Sequence, residues 1–173
     1  MKTVVINLIG GPGSGKSTAA AELFASLKKA GRSCEVAWEF SKDKVFEESL
    51  RVLDDQIYIF GKMYHKIYRL LDKVEFIITD SPLPISLYYN KEESQYFDKF
   101  IVEQYNKFNN LMYFIERDDS HYETVGRTQT FEESKEIDKN IIQLLRKYDI
   151  PFKSVPQSKA VRSILTDLSR IIE

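Results

Sequence analysis

The sequence predicts an α/β domain with a parallel sheet covered by helices on both faces. Three observations predict it. Short β-branched apolar runs alternate with longer stretches of helical spacing along the whole 173-residue chain. Four of the seven glycines, Gly10, Gly11, Gly13 and Gly15, crowd into six positions directly after the first apolar run. No repeat, low-complexity tract or linker divides the chain, so residues 1–173 read as one domain.

The elements follow in order. Thr3–Ile9 is apolar and rich in Val and Ile, the signature of a strand buried on both faces. Lys16–Ala30, with Ala19, Ala20, Leu23, Phe24 and Leu27, predicts a helix stopped by Gly31. Ser33–Trp38 reads as a second strand with Glu39 just beyond it. Asp54–Leu71 has apolar residues at Ile57, Phe60, Tyr64, Ile67, Tyr68 and Leu71, a helical spacing. Val74–Thr79 is a third strand, closed by Asp80-Ser81-Pro82. Helical stretches at Ile85–Tyr89 and Glu93–Lys107 precede a fourth strand at Leu111–Ile115. The polar, aperiodic segment from Glu116 to Thr130 reads as a long loop, of a length that is usually functional or disordered in a compact domain. Phe131–Tyr148 is a helix, Pro151–Val155 a last strand and Ala160–Ile172 a last helix.

Composition narrows the function. Lys and Arg number 25 against 26 Asp and Glu, a net charge of −1, which argues against an electrostatic nucleic-acid or membrane-surface binder. The single cysteine, Cys34, excludes a disulfide framework and reads as a small buried apolar residue. No signal-peptide pattern or long apolar span occurs, so the expected location is the cytoplasm. His65 and His121 lack metal-ligand spacing, and no Ser/His/Asp or Cys/His hydrolase arrangement is visible.

Gly10-Gly11-Pro12-Gly13-Ser14-Gly15-Lys16-Ser17 fits G-x-x-x-x-G-K-[ST] between a strand and a helix. Glycines let the backbone approach a phosphate closely, and the loop and helix N-terminus supply N–H groups to hold it. In this arrangement Gly11, Gly13, Ser14, Gly15, Lys16, Ser17 and Thr18 form the nucleotide-binding set. Lys16 brings a full positive charge and the Ser17 hydroxyl suits Mg²⁺.

Asp80 ends the third strand and should emerge at the same sheet edge as the loop. A carboxylate there holds Mg²⁺ or takes a proton from an attacking hydroxyl. Glu39 ends the second strand at that edge and is a candidate base or substrate ligand, so either carboxylate can be the general base. Arg117 and Arg127 bracket the long loop, a candidate lid at about 117–129, and could close over a γ-phosphoryl group with Gln129. On the Asp54 helix, Gln56 could read a base edge and an aromatic such as Tyr64 could stack on it. Aromatics at that spacing, Tyr58 and Phe60 included, also suit a core.

Taken together, Asn7–Thr18, Trp38-Glu39-Phe40, Asp55–Phe60, Ile78–Leu83 and Gly126–Gln129 resemble the small P-loop kinase-like ATP-binding proteins of tailed bacteriophages. That group is related to the ribosylnicotinamide kinase domain and to nucleoside and nucleotide kinases. The resemblance implies a five-stranded parallel sheet in the order 2-3-1-4-5 with a lid, and ATP and Mg²⁺ as cofactors. It implies transfer of a phosphoryl group to a hydroxyl of a nucleoside, nucleotide or related small molecule, in the host cytoplasm if a phage encodes the chain. Where deoxynucleoside kinases carry Asp-Arg, this chain has Asp80-Ser81. Two alternatives stand beside this expectation. One is a kinase acting on nucleic acid, a hydroxymethylated pyrimidine or an end. The other is a nucleotide-dependent switch with no acceptor. Oligomeric state is not legible.

Overall fold

The computed structural model describes residues 2–90, 94–118 and 129–172. Strand β1 (Val4–Ile9) is buried along its whole length. It is flanked by β3 (Phe76–Thr79) on one side and β4 (Asn109–Glu116) on the other, with β2 (Cys34–Ala37) and β5 (Lys153–Pro156) at the edges. The pairings are parallel and the order is β2-β3-β1-β4-β5, as expected.

Alternation along β1 divides the core in two. Val4, Ile6 and Leu8 point to the layer formed by α1 (Lys16–Lys29) and α7 (Ala160–Ile172). Val5 and Ile9 point to the layer of α3 (Gln56–Tyr68), α4 (Ile85–Tyr89), α5 (Gln95–Asn106) and α6 (Phe131–Lys147). Cys34 is fully buried in the first layer.

Register positions the site. Asn7, Thr79 and Ala37 lie in one row across β1, β3 and β2. Gly10, Asp80 and Glu39 follow within three residues of that row, so all three leave the sheet at its carboxyl edge. The chain visits one side of β1 for β2 and β3 and the other side for β4 and β5, which opens a crevice at that edge.

Several boundaries differ from the sequence reading. β4 begins at Asn109 rather than Leu111 because Asn110 satisfies its amide locally. Its Nδ2 donates to the carbonyls of Tyr105 (2.6 Å) and Phe108 (3.3 Å), and its Oδ1 accepts from Asn7 (3.0 Å). α3 begins at Gln56 because the Asp55 carboxylate caps the Tyr58 N–H at 3.0 Å. It ends at Tyr68, ahead of a turn in which Asp72 takes a positive φ of 60°. Helix α2 (Ser41–Phe46) and a 3₁₀ turn at Leu50–Asp54 are unforeseen. Neither buries a residue, so neither leaves a periodic apolar pattern. Among the described residues no helix is long and apolar enough to cross a membrane.

Candidate active site at the phosphate loop

Two glycines of the loop have definite reasons. Gly15 caps α1 in the left-handed region (φ 85°), and a Cβ there would stand 2.6 Å from the Gln157 side chain. Gly11 has no unusual φ, but α6 passes so close that a Cβ would meet the Ser134 carbonyl oxygen at 2.6 Å. Inside the loop the Lys16 ammonium donates to the Gly11 carbonyl at 2.8 Å. The Ser14 hydroxyl is buried beneath the loop with no hydrogen-bond partner among the described residues.

Asp80 joins three strand ends. Its Oδ2 accepts from the Ser17 hydroxyl at 2.6 Å and its Oδ1 from the Glu39 backbone N–H at 2.9 Å. Asp80 as a residue is only 3% exposed, so these bonds replace the water its carboxylate has lost. A hydroxyl and a carboxylate oxygen this close, beside a loop built for phosphate, make a hard-oxygen donor set. Such a set suits Mg²⁺, which takes one or two protein oxygens and completes its shell with phosphate and water.

A cavity of about 240 Å³ runs from this loop to α3 and α4. Of the expected loop set, Gly13, Gly15, Lys16, Ser17 and Thr18 line it, while Gly11 and Ser14 lie behind the surface. Glu39, Gln56, Asp80 and Gln129 line it as well, so residues far apart in sequence do converge. Gln56 donates its amide to the Leu53 carbonyl at 2.7 Å. Val45, Leu53, Met63 and Leu83 give the cavity an apolar part to its wall.

Charge inside the cavity is finely opposed. Burial pushes the Lys16 ammonium below its ordinary pKa, while Glu39, Asp80 and Asp138 pull it back up. Burial pushes the Glu39 carboxyl above the usual range; Lys16 opposes this and Asp80 adds to it.

Two expectations are corrected. Tyr64 does not reach the cavity. It stacks on Phe60 and Tyr68, at 6.2 and 5.8 Å between ring centres, and packs on Phe108 at 5.6 Å, within the core layer. Arg117 does not line the cavity either. It sits behind the loop, its side chain 8% exposed, with Nε donating to Asp138 at 2.5 Å. Arg127 and most of the lid expected at about 117–129 lie outside the described residues.

Tyr89, Ser41, Lys42 and Asp138 are functional candidates that the sequence reading missed. The first three line the cavity, and burial together with Glu39 raises the Tyr89 phenol well above its ordinary range. Asp138 left a signal. It follows the buried Ser134 by four residues on α6, on the flank of the buried face Ser134, Ile137, Ile141 and Leu145.

A family model described as an AAA domain matches residues 5–162. The chain belongs to that family. The match takes in the loop, both carboxylates and all of the sheet but Val4 of this AAA-domain chain. No curated protein sequence matches it. Among solved structures, deoxyadenosine kinase from M. mycoides with bound dATP aligns at a TM-score of 0.57 and 19% identity, covering 95% of this chain and 99% of that one. The same enzyme with dCMP and a flexible dCDP bound gives 0.60 and 21%, covering 96% and 99%. Thymidylate kinase from Ehrlichia chaffeensis gives 0.64 and 12%, covering 98% and 100%. The AAA-domain chain therefore shares the fold of these nucleoside and nucleotide kinases end to end.

Proposed function

We propose that the protein is an ATP-dependent phosphotransferase that moves the γ-phosphoryl group to a hydroxyl of a nucleoside, a nucleotide or a related small molecule such as a ribosylated base. The observation that carries the reading is the meeting of phosphate loop, Asp80 and Glu39 in one cavity that apolar side chains also line. The loop N–H groups and Lys16 would hold the triphosphate, with Lys16 leaving the Gly11 carbonyl for a phosphate oxygen. Ser17 and Asp80 would hold Mg²⁺, which supplies charge neutralisation for the transferring group. The apolar side chains would take a flat ring, and Gln56 and Gln129 its polar edge. The acceptor oxygen bonds to the γ-phosphorus as the bridge to the β-phosphate breaks. ADP leaves, and the hydroxyl proton passes to the Glu39 carboxylate.

The deoxyadenosine and thymidylate kinases that share the fold support this reaction class for the chain. The test is transfer from labelled ATP to a panel of nucleosides, nucleoside monophosphates, ribosylated bases and oligonucleotides. Transfer to a small acceptor is the expected result. Activity confined to oligonucleotides and lost steeply with added salt would move the acceptor to nucleic acid. Brisk ATP hydrolysis with no transfer to any acceptor would defeat the kinase reading and leave a nucleotide switch.

A further inference from the structure

Helix α6 runs behind the phosphate loop and grips it from the side away from the cavity. Asp138 Oδ1 accepts the Gly11 N–H at 2.5 Å, and its Oδ2 accepts Nε of Arg117 at 2.5 Å. Arg117, just past the end of β4, donates further to the Pro12 carbonyl (3.2 Å), the Ser134 hydroxyl (2.9 Å) and the Ser134 carbonyl (3.1 Å). The two side chains are 8% and 15% exposed, so the pair is shielded from water.

These bonds act on particular peptide planes. The Gly11 N–H fixes the plane between Gly10 and Gly11, and the Pro12 carbonyl fixes the plane between Pro12 and Gly13. Between them lies the Gly11 carbonyl, on which the Lys16 ammonium rests at 2.8 Å. Asp138 turns one N–H of the loop outward, and the direction of the remaining N–H groups is set against that fixed point. The pair is also balanced in charge. A carboxylate this near the loop would repel phosphate, and Arg117 neutralises it at contact distance.

We infer that Asp138 is a positioning residue for the phosphate loop, acting with Arg117 as a clamp that presets the loop for triphosphate without touching it. The inference rests on reading the loop as a nucleotide site but not on the identity of any acceptor. Asp138→Asn keeps the shape, removes the charge and leaves one acceptor oxygen for the two donors, Gly11 N–H and Arg117 Nε. Loss of buried charge-assisted hydrogen bonds of this kind weakens ATP binding by about tenfold or more.

The experiment measures ATP–Mg²⁺ affinity by titration calorimetry, without acceptor, on the full chain and on Asp138→Asn, Arg117→Gln and the double variant. Thermal melts on each establish the folded fraction. Both single variants should bind ATP more weakly while folded. The double variant should bind better than their summed losses predict, because it leaves no unpaired buried charge. In turnover assays the loss should fall on KM for ATP rather than on kcat. Affinity within twofold of wild type in folded Asp138→Asn overturns the clamp. So does a fall in kcat on Arg117→Gln with ATP affinity unchanged, which would make Arg117 a catalytic residue. Wild-type protein that binds no ATP overturns both the clamp and the nucleotide reading. Wild-type protein that binds ATP but transfers it to no acceptor defeats the kinase reading alone, and the affinities still decide the clamp.

Discussion

Glu39 faces two demands that its surroundings set against each other. Burial favours its neutral acid, Asp80 adds to that preference, and the Lys16 ammonium stabilises the carboxylate. A base works only when ionised, and its strength rises with its pKa. Turnover should therefore climb with pH through a Glu39 pKa lying above the ordinary carboxylate range. Acidification should silence phosphoryl transfer earlier than an exposed glutamate would allow, as a pH–rate profile of kcat/KM, which reports the unliganded protein, will show. Glu39→Gln should lose transfer by roughly 10²–10⁴-fold, the span typical of a general base, while retaining ATP binding. A switch protein would be indifferent to the same change, so assaying the variant separates the two classes.

At the scale of elements, α6 is both a wall of the core and the support of the loop. Its start is set by a reciprocal cap. The Glu133 N–H donates to the Thr130 hydroxyl at 3.2 Å, and the Thr130 N–H donates to the Glu133 carboxylate at 2.7 Å. Thr130→Ala should cost about 1 kcal/mol of stability, read as a lower denaturation midpoint. The Thr130 backbone bond holds the Glu133 carboxyl below its ordinary value. That contribution is complete above the unfolded pKa of the group and fades as pH falls through the lower folded one. Packing of another element, α3, decides Tyr64, which the sequence left open between core and cavity wall. Its spacing on α3 equals that of the buried residues Phe60, Met63 and Ile67, and periodicity cannot distinguish a helix face packed on aromatics from one lining a cleft.

On the scale of the molecule, the sheet carries two cores and one functional edge. Ile6 is fully buried in the layer beneath α1 and α7. Ile6→Ala should destabilise the chain by about 2–5 kcal/mol, measured by urea unfolding, because it leaves a cavity that two packed layers cannot close. The α/β alternation, the burial of β1 along its whole length and the phosphate loop were all legible beforehand. Their signals are local, namely β-branched runs, helical periods and glycines at fixed offsets. Glu39, Asp80 and Gln56 were legible as candidates because each lies at an element boundary that topology carries to one edge. α2 was invisible, since nothing in it is buried.

The amino-acid order was enough for the fold class, the loop and the carboxyl edge at which chemistry would occur, because strand ends and glycine offsets are properties of neighbouring residues. Only the folded chain turned Tyr64 into the core, drew Tyr89 and Lys42 to the cavity and set Arg117 against Asp138. Those outcomes depend on helices packing across sequence separations such as the 127 residues between Gly11 and Asp138. Which of two equally spaced side chains meets a partner is decided by the angle and depth of that packing, which no local pattern encodes.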